Sequence, residues 1–244
     1  MDAQTIDLWA RNLARRDHTL TADEIAVLSG AVSEVVAFDA DRDIVREQQL
    51  AESSNLLLEG WACRYVTLAD GRRQIVAIHL PGDMVDLHSF PLKVMDHSVA
   101  TLTPCRVAML PHLRLKRVTE TEPHLTRLLW MSTMIDAAMH RQWLAGAGAR
   151  SSLGHAAHLI CELYVRLGVV GLTKGARFPL PLTQVELADA LGISPVHANR
   201  MVQDLKAQKL IAWHGKEAEI LDWERLQQVA QWDPTYLNLE DIPR

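Results

Sequence analysis

The chain has 244 residues, 48% of them hydrophobic, and a formal net charge of −5 at pH 7. This length suits two domains with real hydrophobic cores, which argues against disorder. No apolar run reaches the ~18–20 residues that a membrane-spanning helix needs, and the first residues have no signal-peptide pattern, so we expect no membrane partner and a cytoplasmic location. The three cysteines, Cys63, Cys105 and Cys161, are isolated, which suits a reducing compartment and argues against disulfides or an iron–sulfur cluster.

The N-terminal half changes from a helical to a strand-like pattern. Residues 4–34 carry apolar side chains at helical spacing. Between Val35 and Leu110, short apolar runs alternate with turn residues such as Asp70-Gly71, which predicts a hairpin at that turn. The strand candidates are Asn55–Leu68, Gln74–Leu80 and Thr101–Leu110. Regularly spaced short strands indicate a β-roll or barrel.

A long helix is predicted between Leu125 and Leu144. One set of its side chains steps by three, four and three residues, which is typical of a coiled-coil seam. These residues are Leu128, Met131, Ile135 and Ala138. We predict that a second copy of the chain packs against them, although a solitary buried helix would also be apolar on several faces. Gly146 and Gly148 are expected to break the helix and form a hinge.

The segment Leu182–Ile211 predicts two helices joined by a tight turn. Gln184–Leu191 has the apolar spacing of a first helix, and Gly192 provides the turn. Ser194 and Pro195 then begin a second helix as N-cap and first helical residue. Its apolar stripe is Ala198, Met201, Val202 and Leu205. The opposite face, which suits the DNA major groove, is His197, Asn199, Arg200, Gln203 and Lys206.

A strand hairpin follows the second helix. Lys209–Leu221 predicts two strands that turn at His214–Lys216, and residues 222–232 predict a last helix. The helix–turn–helix and this hairpin together resemble the winged helix-turn-helix of the Crp/Fnr regulators, and the resemblance reaches upstream to about Leu28. It implies an α+β fold with three parts. These are a cyclic-nucleotide-binding-like β-roll that senses an effector (residues 1–118), a dimerisation helix (119–148) and a DNA-binding domain (149–244).

The resemblance also implies where an effector would bind. Relatives that bind cyclic nucleotides hold the phosphate with a Gly-Glu-Leu segment and an Arg-Ser pair, and here these places read Val85-Asp86-Leu87 and Met95-Asp96. No arginine lies between Arg73 and Arg106, and the two aspartates would repel a phosphate. We therefore predict that cyclic AMP and cyclic GMP do not bind. The residues predicted to line the altered pocket are Asp86, Leu87, His88, Ser89, Asp96, His97 and Ser98.

His88 occupies the place of a haem-ligating histidine in the family's carbon-monoxide sensor. That sensor has a cysteine two residues earlier, where this chain has Asp86. We therefore expect His88 to be a polar pocket residue, with a haem- or metal-dependent sensor as the alternative. We predict no metal site, because the sequence gives no reason for His79, His88 and His97 to converge in a chain with 11 histidines.

The family's DNA contacts carry over to this chain by position. Pro195 and Val196 occupy two base-reading places but cannot form bidentate hydrogen bonds, whereas Arg200 can pair with guanine O6 and N7. Asn199 is a further candidate for a base edge. The predicted phosphate contacts are Thr183, Gln184, Ser194 and His197. The sequence thus predicts a homodimeric bacterial transcription regulator that binds a palindromic operator, with RNA polymerase as a further partner.

Two other classes of function are alternatives to this prediction. An enzyme is not expected, because the sequence contains no GxSxG, HExxH or P-loop motif. A signalling module that has lost DNA binding is the other alternative, since Pro195 and Val196 read bases poorly. The negative net charge of the whole chain does not exclude DNA binding, because DNA affinity needs only a local cationic surface. Arg177–Glu217 holds five basic and four acidic residues.

Overall fold

The computed structural model describes residues 6–14 and 20–239. Residues 1–5, 15–19 and 240–244 lie outside the described residues. Part of the predicted segment 4–34 falls among them. The chain divides into two compact units. One comprises Met1–Val66, Ala77–Ala137 and Asn238–Arg244, and the other Thr67–Val76 and Ala138–Leu237. Among the described residues, no helix combines the length and apolarity that crossing a membrane requires.

Short strands dominate the first half of the chain, as the alternating pattern predicts. The helices are α1 (Asp7–Leu13), α2 (Ala22–Ala31), α3 (Ser89–Leu92) and α4 (His112–Thr121). The strands are β1 (Glu34–Phe38), β2 (Asp43–Val45), β3 (Ser53–Glu59), β4 (Ala62–Thr67), β5 (Arg73–His79), β6 (Ser98–Thr101) and β7 (Cys105–Pro111). They form two sheets, with the orders β1-β7-β3 and β2-β6-β4-β5.

The predicted hairpin at Asp70-Gly71 is confirmed as the turn between β4 and β5. The single run predicted for Asn55–Leu68 is divided into β3 and β4 at Gly60, whose φ is +88°. A Cβ at this position would lie 2.3 Å from the carbonyl oxygen of Pro104. Glycine is therefore required there both by the backbone angle and by the close approach of a second segment.

The core of the first unit is formed by helices packed against the β1-β7-β3 sheet. Trp9 of α1 and Leu28 of α2 are fully buried together with Leu56 of β3 and Leu110 of β7. Thr21 forms a capping box with Glu24 at the start of α2, since each residue bonds to the other's backbone amide. Apolar burial of this kind contributes about 25 cal/mol per Å², and it fixes the outer helices on the sheet.

The long helix predicted after Pro123 is confirmed as α5 (Pro123–Ala149). The predicted break at Gly146 and Gly148 is wrong, because the helix continues through both residues. A Cβ at Gly146 would lie 2.4 Å from the ring carbon Cδ2 of His155 in the next helix. The glycine is explained by this close helix–helix contact, and not by a hinge.

The second unit contains the remaining elements. The helices are α6 (Ser152–Val169), α7 (Gln184–Leu191), α8 (Pro195–Ala207), α9 (Trp223–Ala230) and a 3₁₀ turn (Pro234–Leu237). The strands are β8 (Arg177–Pro179), β9 (Ile211–His214) and β10 (Glu217–Ile220), in the sheet order β8-β10-β9. The predicted hairpin with its turn at His214–Lys216 is confirmed, since His214 pairs with Glu217. The predicted final helix is α9, capped by Asp222.

A buried ion pair lies at the centre of the second unit. The Glu162 side chain of α6 is fully buried, and its Oε1 accepts hydrogen bonds of 3.2 Å from Arg166 Nη1 and Trp143 Nε1. Its Oε2 accepts a 2.8 Å hydrogen bond from the Tyr236 hydroxyl in the 3₁₀ turn. The Tyr236 hydroxyl also lies 3.2 Å from His158 Nε2. This network ties the end of the described chain to α6.

Candidate functional sites

The turn between α7 and α8 is built from the residues that the sequence marks as caps. The Thr183 hydroxyl accepts a bond from the Glu186 amide, and the Thr183 amide donates to the Glu186 carboxylate. Gly192 ends α7 with a φ of +66°, which favours glycine. Ser194 then caps α8 by accepting from the His197 amide at 3.3 Å. These local bonds hold the two helices in a helix–turn–helix.

The two faces of α8 differ sharply in exposure. The apolar stripe of Ala198, Met201, Val202 and Leu205 is buried, as predicted. On the outer face Arg200 is exposed, and Val196 has 82% of its surface exposed. Asn199 is half-buried between the two faces. The outer face therefore presents one long cation and one small apolar side chain, one helical turn apart.

The other predicted DNA contacts lie around the ends of the two helices. Gln184, Ser194 and Pro195 are exposed, while His197 is half-buried. The Nε2 atom of His197 is shielded from solvent and has no hydrogen-bond partner among the described residues. Lys206 points toward the hairpin, where its Nζ donates to the Trp213 carbonyl at 2.7 Å. This hydrogen bond therefore connects the hairpin to α8.

Several of the predicted pocket residues have side chains that are engaged within the fold. Asp86 is fully buried, and its carboxylate accepts from the backbone amide and the side-chain amide of Asn55 at 2.6 and 2.7 Å. Burial raises the pKa of Asp86 to about 6, although the Asn55 hydrogen bonds work in the opposite direction. Leu87 belongs to the core beneath the sheet. The side chains of these two residues are therefore engaged within the fold, and their part in lining a ligand pocket stays a prediction.

Two of the predicted serines are also engaged within the fold. The Ser89 hydroxyl lies 3.2 Å from both the Ser54 hydroxyl and His112 Nε2 in a buried cluster. The Ser98 hydroxyl accepts from the Glu47 amide at 3.0 Å. Both hydroxyls thus contribute to local structure. The remaining three predicted residues, His88, Asp96 and His97, do come together.

His88, Asp96 and His97 converge at the start of β6. One ligand atom from each side chain lies within 4.8 Å of the other two. His97 Nδ1 lies 2.8 Å from Asp96 Oδ1, and His88 Nε2 lies 3.9 Å from the same oxygen. His79, the third histidine considered in the sequence, lies instead near Asp83. The convergence of His88 and His97 was not expected from the sequence.

Both histidines in this cluster favour the neutral imidazole. Burial, together with the positive charge of Arg64, lowers the pKa of His88 to about 4. Burial and Arg64 also lower the pKa of His97, against the opposing effect of Asp96. Partial burial raises the pKa of the Asp96 carboxyl, but its interactions with His97, including their 2.8 Å contact, lower that pKa on balance. At neutral pH the cluster therefore offers two neutral rings and one carboxylate.

Sequence reasoning missed Arg64, a buried arginine beside this cluster. It lies on β4, far from the place where the family pattern has its phosphate-binding arginine. Its Nε donates to the Val85 carbonyl at 2.9 Å, and its Nη1 forms a 2.6 Å ion pair with Asp136 of α5. Only an alternating strand pattern marks this position, and Arg64 is the one charged side chain within β4.

The predicted dimer seam needs correction. Leu128 is only 2% exposed and packs in the core of its own chain, and Ile135 is buried as well. Met131 and Ala138 are half-buried. The exposed apolar side chains of the first part of α5 are Trp130 and Met134, at 66% and 53%. Helical spacing is compatible with both the buried and the exposed set of apolar side chains. The prediction from periodicity therefore gave the dimer contact to the buried set, which packs inside its own chain.

Comparisons with known proteins agree with this architecture. Residues 35–122 match the cyclic nucleotide-binding domain, and residues 155–229 match the Crp-like helix-turn-helix domain. The transcriptional activator FnrL of Cereibacter sphaeroides is 28% identical over 178 residues, which is 71% of each chain. The nitrogen fixation regulation protein FixK of Bradyrhizobium diazoefficiens is 28% identical over 202 residues, covering 80% of this chain and 81% of the relative.

Solved structures show the same fold. The structure of FixK2 from Bradyrhizobium japonicum superimposes with a TM-score of 0.74 at 23% identity, covering 81% of this chain and 97% of that one. The regulator CLP of Xanthomonas campestris, whose structure is described as c-di-GMP responsive, gives a TM-score of 0.61 at 17% identity over 83% of this chain and all of that one. With a cyclic nucleotide-binding domain followed by a Crp-like helix-turn-helix domain, the chain belongs to the Crp/Fnr family of transcription regulators.

Proposed function

We propose that this regulator works as a homodimer on a palindromic operator, under the control of an effector in the β-roll that is not a cyclic nucleotide. The outer face of α8 supports this proposal most directly, because Val196 and Arg200 are exposed while the opposite stripe is buried. Two copies related by a two-fold axis would read half-sites about one helical turn apart. The relatives named as activators support contact with RNA polymerase as part of the same proposal.

Each group that we propose to contact DNA has a role that fits its chemistry. The Arg200 guanidinium can donate two hydrogen bonds to guanine O6 and N7, and Val196 can pack against a thymine methyl. Asn199 can reach a neighbouring base edge. The groups proposed to contact phosphates are Thr183, Gln184, Ser194 and His197. The capping hydroxyls accept bonds within the fold, so their hydrogens stay available to a phosphate oxygen.

Arg200→Ala is expected to weaken binding to the preferred operator by about 1–3 kcal/mol, with a much smaller effect on random DNA. A contact to a base edge exists only on the matching sequence, whereas a phosphate contact exists on every sequence. Gln184→Ala is the matched control and should weaken both complexes by similar small amounts. Gel shifts with an operator selected from random DNA, at one fixed salt concentration, measure both quantities.

Equal losses on operator and random DNA for Arg200→Ala would mean that Arg200 touches only the backbone. The specificity would then come from Asn199, His197 or the shape of the DNA. If the selection enriches no sequence at all, the alternative function is favoured, a signalling module without DNA binding. Enrichment of a site that is not palindromic would contradict the dimeric arrangement.

Cyclic AMP and cyclic GMP are expected not to bind at micromolar concentrations. Met95 is buried in the core at the place of the family's arginine, and Arg64 is already paired with Asp136. A missing charge-assisted hydrogen bond removes roughly 1.5–3 kcal/mol of affinity. Isothermal titration calorimetry with each nucleotide tests this expectation, and micromolar or tighter binding would contradict it.

A further inference from the structure

We propose that His88, Asp96 and His97 form a binding site for one divalent transition-metal ion, and that this ion is the effector of the regulator. The claim about the effector rests on the proposed function, whereas the claim about metal binding does not. Two imidazoles and one carboxylate with open positions are a ligand set that suits Fe²⁺, Co²⁺ and Zn²⁺.

The first argument is distance. Ligand atoms around zinc lie about 2.0–2.1 Å from the ion, which places them roughly 3.3 Å from one another in a tetrahedral site. The three candidate atoms lie within 4.8 Å of one another, and the two imidazole rings have their centroids 4.8 Å apart. Small side-chain rotations therefore close the site. Asp96, with 76% of its side chain exposed, is the ligand with the most freedom to move.

The second argument is the unsatisfied nitrogen atoms. His88 Nε2 and His97 Nε2 are both shielded from solvent, and neither has a hydrogen-bond partner among the described residues. His97 is a buried residue. A buried polar atom without a partner is costly, and a bound ion is one of the recognised reasons for it. The unsatisfied His88 Nε2, with the Asp96 carboxylate and His97 Nδ1 close to it, points to a ligand that accepts lone pairs.

The third argument is charge. The groups that face the cluster are Arg64 and Asp136, and they form an ion pair with each other. This pair carries no net charge, so the Asp96 carboxylate gives the cluster a formal charge of −1, which a bound cation would neutralise. Arg64 also joins β4 to α5 through Asp136. An ion bound next to this pair acts on the link between the sensory sheet and the long helix.

Metal binding is tested on the full-length protein after removal of metal by a chelator. Titration with Co²⁺ is expected to give visible absorption bands that saturate at one ion per chain and that Zn²⁺ displaces. Asp96→Asn and His97→Gln should each weaken Co²⁺ binding at least roughly tenfold. His124→Gln, a histidine of the same unit that lies outside the cluster, is the matched control and should bind as the wild type does.

The Asp96 variant keeps the test valid if His97→Gln fails to fold, because the Asp96 side chain is exposed. A wild-type protein that binds no Co²⁺ or Zn²⁺ at micromolar concentrations would overturn the site. Equal affinities in the wild type and Asp96→Asn would overturn it as well.

The effector role is tested by measuring operator affinity with and without Zn²⁺. At a Zn²⁺ concentration that saturates the wild type but not the weaker-binding Asp96→Asn, we expect a change of at least tenfold in the wild type and a clearly smaller change in the variant. Metal binding without any change in operator affinity would overturn the effector role and leave the site standing. A protein that binds metal but selects no DNA sequence would contradict the proposed function and not the metal site.

Discussion

Met134→Lys is expected to convert the dimer into a single chain of 27.3 kDa at micromolar concentration. Met134 is exposed on α5 together with Trp130, and we propose that the partner covers both side chains in the dimer, in place of the buried residues that the sequence suggested. A lysine there would be buried without a counter-ion, once in each copy, and burying a charge in an apolar seam costs several kcal/mol. Since about 1.4 kcal/mol corresponds to a factor of ten, the dissociation constant of the dimer should rise at least roughly a hundredfold.

Leu113→Lys is the control for this experiment, because Leu113 is an exposed apolar residue on α4, with 80% of its surface exposed against 53% for Met134. It makes the same change of charge outside α5 and should leave the dimer intact. Sedimentation equilibrium of the three proteins gives the result. A wild type that sediments as a single chain would refute the dimer, and a dimeric Met134→Lys would show that the seam lies elsewhere. Ile135→Lys cannot make this distinction, because Ile135 is buried in its own chain.

Arg166→Ala is expected to destabilise the second unit by about 3–5 kcal/mol. Arg166 is the cation paired with the fully buried Glu162. Its removal leaves a carboxylate in the interior that, among the described residues, keeps the hydrogen bonds from Trp143 and Tyr236. The midpoint of urea unfolding should therefore fall strongly. The loss measures the cost of an unpaired buried charge, and not the strength of the ion pair itself.

Two further variants sharpen the test of the buried pair. Arg177→Ala removes an arginine whose ion pair with Glu219 is largely exposed, and pairs of this kind contribute about 0–1 kcal/mol. The double variant Glu162→Gln with Arg166→Met removes both charges and keeps the side-chain volumes, so it should recover most of the stability. If Arg166→Ala and Arg177→Ala unfold at the same urea concentration, the buried network does not stabilise the unit.

Local sequence signals predicted the DNA-reading part of the fold well. Thr183, Gly192 and Ser194 act within three or four residues of their own positions, because caps and turns depend on the neighbouring backbone. The buried stripe of α8 follows from the same helical spacing. For this reason the helix–turn–helix and its hairpin could be located without any knowledge of the tertiary structure.

The cyclic nucleotide-binding domain was harder to predict, because its geometry depends on contacts between distant segments. His88 and His97 are brought together by the loop between α3 and β6, and Arg64 reaches them from a strand more than twenty residues earlier. Along α5, the spacing of Leu128 and Ile135 is equally compatible with packing in the same chain or on a partner. Only the position of the sheet decides between these possibilities.

The hydrogen bond from Tyr236 to Glu162 has a consequence for the genetics of this regulator. A stop codon at position 232 removes no predicted DNA contact, yet it takes away the tyrosine that satisfies the buried carboxylate and the Trp232 ring that packs edge-on against His158. A screen for mutants that no longer regulate their target should therefore recover late nonsense mutations alongside missense changes at Arg200.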